Sequence, residues 1–166
     1  TDIQGIHEID FASLNISVSG GSEIQTDYTP PELISLTIDS TEVPAGERFL
    51  INYSAIDNEH NIAEARFNFR NEDGSQSFNV YDHYGDGVAS YHLSTNQLED
   101  LYSLDSVTLY DTANHRNNIT YYSNGTTQYY DDQTHQTIYG EHEFAFDNFS
   151  VTVTERIHDP DPQTDY

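Results

Sequence analysis

Through the middle of the chain, apolar residues return at every second position in short runs broken by Gly, Pro, Asn and Asp. Ala63, Ala65, Phe67 and Phe69 alternate with Glu64, Arg66, Asn68 and Arg70, and Phe49, Ile51, Tyr53 and Ala55 alternate in the same way. A period of two sends successive side chains to opposite faces, so each run predicts a half-buried strand. An earlier strand is expected over 33–38, and later ones near 76–82, 88–93, 105–110 and 117–122. Pro44-Ala-Gly46 and Asn71-Glu-Asp-Gly74 mark turns, and Asn124-Gly125 between tyrosine-rich flanks predicts a hairpin. Only 94–101 reads as a helical turn. Short strands at regular spacing with polar turns between them predict an all-β sandwich.

One apolar pattern occurs twice. Gly5-Ile-His-Glu-Ile-Asp-Phe-Ala-Ser-Leu-Asn-Ile-Ser-Val18 aligns without gaps on Gly140-Glu-His-Glu-Phe-Ala-Phe-Asp-Asn-Phe-Ser-Val-Thr-Val153. Gly5, His7, Glu8, Phe11 and Val18 are identical to Gly140, His142, Glu143, Phe146 and Val153. In both copies the parity of the apolar positions changes midway, at Ala12-Ser13 and at Asp147-Asn148. A change of parity predicts a bulge or bend in each strand. The tetrapeptide Gln-Thr-Asp-Tyr then recurs at 25–28 and 163–166, the spacing growing from 135 to 138 residues, with the extra residues placed around His158-Asp-Pro160. Internal periodicity of this kind points to a repeat architecture. Residues 1–28 read as the C-terminal strand and linker of a preceding repeat, and 29–166 as one complete repeat with its own C-terminal linker. Tandem arrays serve as spacers, scaffolds or adhesins more often than as enzymes. His7 and His142, being equivalent, are expected to share a structural role.

Charge narrows the partners. Against 29 acidic residues stand five basic ones, all arginine (Arg48, Arg66, Arg70, Arg116, Arg156), for a net charge of −24. Such a surface repels nucleic acid and anionic lipid, so neither nucleic-acid binding nor membrane insertion is expected. The self-repulsion calls for salt or bound cations: adaptation to salty water and calcium ligation both answer it. There is no cysteine, which excludes disulfides, thiolate metal sites and a cysteine nucleophile. No apolar run has the length of a signal peptide or a membrane span, and a processed piece of a larger protein is expected. Thirteen Tyr and eight Phe argue against disorder. Asn-x-Ser/Thr sequons begin at Asn15, Asn52, Asn118, Asn124 and Asn148, in keeping with how common these residues are here.

Three acidic loops carry the candidate chemistry: Asp57-Asn-Glu-His-Asn61, Asp82-His-Tyr-Gly-Asp-Gly87 and Asp111-Thr-Ala-Asn-His115. Calcium takes six to eight oxygens, which Asp/Asn/Gly loops supply. If the strands preceding the first and third loops run in the same direction, those loops share one end of the sandwich, and Asp57, Glu59 and Asp111 come together. Asp82 and Asp86 resemble half of an EF-hand loop, without the intervening ligand and the terminal Glu. The alternative for every one of these acids is turn capping, since Asp and Asn satisfy backbone N–H groups without a metal. Asp131-Asp132 reads as a solvated turn.

Tyr53-Ser-Ala-Ile-Asp57 with Ile62 beyond it, followed by Ser106-Val-Thr-Leu-Tyr-Asp111-Thr-Ala-Asn114, resembles the bacterial Ig-like repeats of large secreted proteins. Their usual pattern is an Asp-x-x-Ser-Gly-Ile loop and later an Asp-x-Ala-Gly-Asn loop. Thr29-Pro-Pro-Glu-Leu-Ile-Ser-Leu resembles the opening of such a repeat. The resemblance covers 29–122 and leaves out the Tyr-rich hairpin and the strand at 141–154. It implies an Ig-like sandwich on an extracellular or cell-surface protein of the giant calcium-dependent adhesin type, with linker calcium stiffening the array and neighbouring repeats as partners. Asn61 and Asn114 stand where glycine is usual, and His115 where asparagine is usual, which weakens a ligand role for His115.

His60, His83 and His115 each lie in an acidic loop, where a transition-metal site is conceivable, yet no His-x-x-x-His spacing supports one. No Gly-x-Ser-x-Gly elbow exists, and paired carboxylates among so many acids mean little, so no enzymatic activity is expected. Tyrosines at 121–122, 129–130 and 139 offer an aromatic platform for sugar rings, or else pair across the hairpin and cover the core. Finally, strand 6–18 is expected either to pack on residues 29–166 or to be donated to a neighbouring subunit's sheet, as in a filament or sheath.

Overall fold

The computed structural model describes residues 27–58, 60–113 and 116–156. They form an all-β sandwich of two sheets. The smaller sheet holds β1 (Glu32–Ile38), β3 (Arg48–Ile56) and β6 (Val88–His92), with β3 in the middle and both pairings antiparallel. The larger sheet is built on β7 (Asp100–Asp111). One edge of β7 pairs along its length with β4 (Ile62–Asn71), which in turn pairs with β5 (Ser77–Asp82).

The other edge of β7 is shared. Its C-terminal half pairs with β8 (Asn118–Tyr122), which leads through β9 (Thr126–Asp131) to β10 (Gln136–Glu141). Its N-terminal end pairs antiparallel with β11 (Ser150–Thr154), which pairs parallel with β2 (Glu42–Pro44). The changeover falls at Leu104 and Asp105: Leu104 N–H donates to Phe149 O (2.9 Å), and Ser123 N–H to Asp105 O (2.9 Å).

The core is aromatic. Phe49, Phe67, Phe69, Phe78, Tyr102 and Phe146 are buried between the sheets with Ile51, Val80, Val107, Leu109 and Val151. Phe78 stacks on Phe69 and Tyr91 with centroids 5.1 and 5.0 Å away, and Phe49 meets Phe69 edge-on at 5.9 Å. Rings of this size bring much apolar area per residue, which matters in a chain without disulfides.

The alternation read from the sequence holds with a local exception. In β4, Ala65, Phe67 and Phe69 are buried as expected, but Ile62 rather than Ala63 faces inward. The register against β7 shifts between Ile62 and Glu64, and such a shift turns every preceding side chain over. The hairpin at Asn124-Gly125 is present. Gly125 takes φ +84°, and the Asn124 side chain accepts from the N–H and hydroxyl of Thr126.

Two expectations are corrected. Residues 94–101 form turns leading into β7 and no helix. The stretch 141–154 is not one bulged strand: its parity change is made by a single 3-10 turn, Phe146–Asn148, between β10 and β11. The turn lets Phe146 point into the core while the chain shifts to a new partner strand. The matching stretch 5–18, with its expected bulge, lies outside the described residues.

Candidate functional site

The acidic loops gather at one end of the sandwich. Ile62, the first residue of β4, stands opposite Asp111, the last of β7. Thr112 N–H donates to Asn61 O (2.9 Å) and Asn61 N–H to Thr112 Oγ1 (3.3 Å), which laces the first loop to the third. Asp57 and Asp111 are thereby brought together as expected. Glu59, Asn114 and His115 lie outside the described residues.

Asp111 is fully buried. Its Oδ1 accepts from Ala113 N–H (3.0 Å) and its Oδ2 from Asn117 Nδ2 (2.9 Å). Asp57 Oδ1 accepts from His60 N–H (2.8 Å), closing the first loop. The residue that completes the group is Asp27, whose side chain is only 1% exposed. Asp27 Oδ1 accepts from Thr29 N–H (2.8 Å), and Oδ2 lies 3.0 Å from His60 Nδ1. Asn117 Nδ2 also donates to Asp27 O (3.0 Å), so one amide nitrogen ties the incoming backbone to the Asp111 carboxylate. Ligand atoms of Asp27, Asp57 and His60 all lie within 4.8 Å of one another.

Sequence reasoning missed Asp27 and Asn117. The signal for Asp27 was present, since it is the acid of the repeated Gln-Thr-Asp-Tyr. Asn117 had no signal, because nothing local distinguishes it from the other asparagines.

The electrostatics of the group follow from burial and crowding. Burial pushes the Asp111 carboxyl above its ordinary value, and the charges of Asp57 and Asp27 push it further against the help of Asn117 and Ala113. At Asp27 burial acts in the same direction. There the hydrogen bonds from Thr29 and His60, with the His60 charge, outweigh it and hold the carboxyl below the ordinary range. Like charges about 4 Å apart repel by roughly 1 kcal/mol in bulk water and about 4 kcal/mol near a protein surface. A proton on His60 or a bound cation relieves that repulsion. The carboxylate oxygens of Asp27 and Asp57 suit a hard cation such as calcium, with Asp111 adding negative charge nearby, whereas His60 beside them adds the nitrogen that transition metals favour.

Asp82 and Asp86 are placed differently. Asp82 Oδ1 accepts from the N–H groups of Tyr84 (2.9 Å) and Gly85 (3.1 Å), and Oδ2 from Tyr53 Oη (2.8 Å) and Gly87 N–H (3.2 Å). A carboxylate has about four acceptor sites, and donors of the protein fill them here. Those bonds outweigh burial and lower the Asp82 carboxyl, while burial and Asp82 together push the Tyr53 hydroxyl up. Gly85 is required in this loop: at φ +65° a Cβ would meet Ile62 O at 2.0 Å. Asp86 Oδ1 accepts from Val88 N–H (3.1 Å), an ordinary turn contact. His83 stacks on Tyr81 (5.2 Å) beside Glu64, which Arg116 pairs at 2.7 Å.

The tyrosine clusters split by strand parity. Tyr121 is buried and its hydroxyl accepts from Leu33 N–H (3.0 Å), and Tyr129 packs against the core. Tyr122, Tyr130 and Tyr139 have the opposite parity and share the outer face of the hairpin strands. Tyr130 and Tyr139 are 49% and 72% exposed, and Tyr122 Oη donates to Gln128 Oε1 (3.3 Å) between them. No helix among the described residues is long and apolar enough to cross a membrane. No family model, no curated protein and no solved structure matches the chain.

Proposed function

We propose that this chain is a structural or adhesive repeat module of a large extracellular bacterial surface protein, stiffened by calcium at the junction between units. The observation that carries the reading is the burial of Asp27, a linker residue, among the loop acids of the unit that follows. A linker docked through its own carboxylate holds the angle between units only while the carboxylates tolerate one another. Calcium supplies that tolerance, and a proton on His60 competes with it. Asp165, in the second Gln-Thr-Asp-Tyr, would dock on a following unit as Asp27 docks here. The resemblance of 29–122 to bacterial Ig-like repeats supports the same reading.

The test is a thermal melt in chelator, in magnesium and in millimolar calcium. Modules of this kind bind calcium at about 0.1–1 mM, so roughly 10 mM calcium adds up to about 2.7 kcal/mol. The rise is expected to be specific to calcium and to vanish in Asp57→Asn/Asp111→Asn. An unchanged melt overturns the calcium reading and leaves the acids as a solvated surface.

A second reading, a carbohydrate-binding face, is favoured by one observation: Tyr122, Tyr130 and Tyr139 share an exposed face with Gln128. Aromatic rings exposed together on one face stack on sugars while the amide and hydroxyls orient them. Glycan-array binding lost in Tyr130→Ala/Tyr139→Ala, with an unaltered melt, would support it. An array without signal would dismiss it.

A further inference from the structure

The pairing of the strands lines up one row of side chains across the outer face of the larger sheet. Arg66 of β4 stands opposite Thr108 of β7, and Thr108 opposite Thr120 of β8. Thr120 stands opposite Gln128 of β9, and Gln128 opposite Tyr139 of β10. Directly opposed residues share a face, so all five side chains project to the same side, away from the core. Neighbouring strands lie about 4.8 Å apart, and the row runs for about 19 Å across them. Its ends, Arg66 and Tyr139, are exposed, whereas Thr108, Thr120 and Gln128 between them are half-buried. Beside Arg66 the face sinks into a depression of about 240 Å³ lined by Arg66, Asn68, Ser106, Thr108, Thr120 and Tyr122.

The row is chemically unlike the chain as a whole. The chain carries 29 acids and a net charge of −24, yet no acid stands in the row. Glu64, the nearest outward-facing acid on β4, is already paired with Arg116 at 2.7 Å. Arg66 has no carboxylate partner among the described residues. Its guanidinium lies over the Tyr81 ring (5.6 Å to the centroid), and that ring stacks in turn on His83 (5.2 Å). Arg66 Nε donates to Asn79 Oδ1 (3.1 Å), which also accepts from Asn68 Nδ2 (2.9 Å). Ring and amide thus fix the guanidinium and leave its two terminal nitrogens, a pair that matches the two oxygens of a carboxylate. Farther along, the Thr108 and Thr120 hydroxyls bond to each other (3.0 Å). Gln128 Oε1 accepts from Tyr122 Oη (3.3 Å), which leaves the amide nitrogen to donate outward. A row of donors with a cation at one end and an open ring at the other suits an extended chain of acidic sugars.

We propose that this row binds an acidic polysaccharide, with a hexuronate residue in the depression and its carboxylate on Arg66. The inference rests on the sugar-binding reading of the tyrosine face and names the class of glycan. Tyr139 stacks on a sugar ring at the far end, and the threonines and Gln128 take the hydroxyls between. Salt at physiological strength screens charges beyond about 8 Å. A sugar carboxylate on the row therefore answers to Arg66 more than to the net charge of the chain. An acidic protein segment would bring the same charge, but it has no sugar ring for Tyr139 and no run of hydroxyls for the threonines and amide.

The experiment is calorimetric titration of the full chain with a hexameric oligouronate, and with the same oligosaccharide after its carboxyls are reduced to alcohols. Chelator is present throughout, so that calcium cannot bridge ligand and protein. The oligouronate is expected to bind about tenfold tighter or more, since hydrogen bonds to a charged group are the stronger kind. Arg66→Gln should erase that preference and leave both the affinity for the reduced oligosaccharide and the melting temperature unchanged. Tyr139→Ala should weaken both ligands by a similar factor. Equal affinity for the two ligands, or a preference that survives in Arg66→Gln, overturns the proposal and leaves the sugar-binding reading standing. No binding of either ligand overturns both. A polyglutamate peptide that binds as tightly as the oligouronate, and loses that affinity in Arg66→Gln, overturns it in favour of an acidic protein partner.

Discussion

Asp82 and Asp111 begin alike, as buried acids at the ends of the two strands that flank β4, in loops rich in Asp and Gly or Asn, and they meet opposite fates. Asp82 is surrounded by donors: three backbone N–H groups and a tyrosine hydroxyl converge on it, and its carboxyl falls below the ordinary value. Asp111 has two donors and acidic neighbours, and its carboxyl rises. Burial is common to both. What separates them is whether the surroundings bring hydrogen-bond donors or further carboxylates. The first arrangement staples a loop, and the second leaves a buried carboxyl crowded by like charge.

The largest effect that sharpens this contrast is expected from Asp82→Ala. It strips an acceptor from four buried or half-buried donors, and a loss of about 3–5 kcal/mol in urea unfolding is predicted. A loss below about 1 kcal/mol would mean that water serves the loop as well, and Asp82 would no longer be a staple. Next comes the calcium increment of up to about 2.7 kcal/mol, expected to survive in Asp82→Asn and to disappear in Asp57→Asn/Asp111→Asn. If the Asp82 variant lost the increment instead, the roles of the two regions would be exchanged.

Asp111→Asn without calcium is expected to stay within about 1 kcal/mol of the parent. It gives up one hydrogen bond but removes a desolvated charge beside Asp57 and Asp27. The smallest effects concern pH. Asp82, lowered in the fold, contributes stability present above the ordinary value of 3.8 and lost as pH falls through its folded value. Asp111, raised in the fold, contributes stability below 3.8 that is lost as pH rises through its folded value. Melts across this range should therefore show Asp111→Asn gaining on the parent as pH rises above 3.8. A gain in the opposite direction would show that Asp111 is stabilised as a carboxylate.

Much of this was legible in advance, and for a local reason. The sandwich, the hairpin at Asn124-Gly125 and most strands follow from a period of two and from turn residues, both of which act over a few positions. The meeting of Asp57 and Asp111 was also legible, because it requires only that the ends of two strands share a side. The distinction between Asp82 and Asp111 was not. It rests on Tyr53, 29 residues from Asp82, and on Asp27, which Asn117 reaches across 90 residues of chain. The bend at Asp147-Asn148 was visible as a change of parity. That it is a 3-10 turn between strands with different partners was not, since parity records only that a face changes.

The sequence by itself determined the class of fold, the extreme acidity and the repetition of one closing segment and one linker tetrapeptide, because alternation, charge and identity are properties of the chain. Only the tertiary structure decided what surrounds those features where it describes them. It placed the linker acid Asp27 inside the loop cluster and sent Tyr121 inward and Tyr122 outward. Burial and donor supply depend on residues remote in sequence, and they exist only once the strands have been paired.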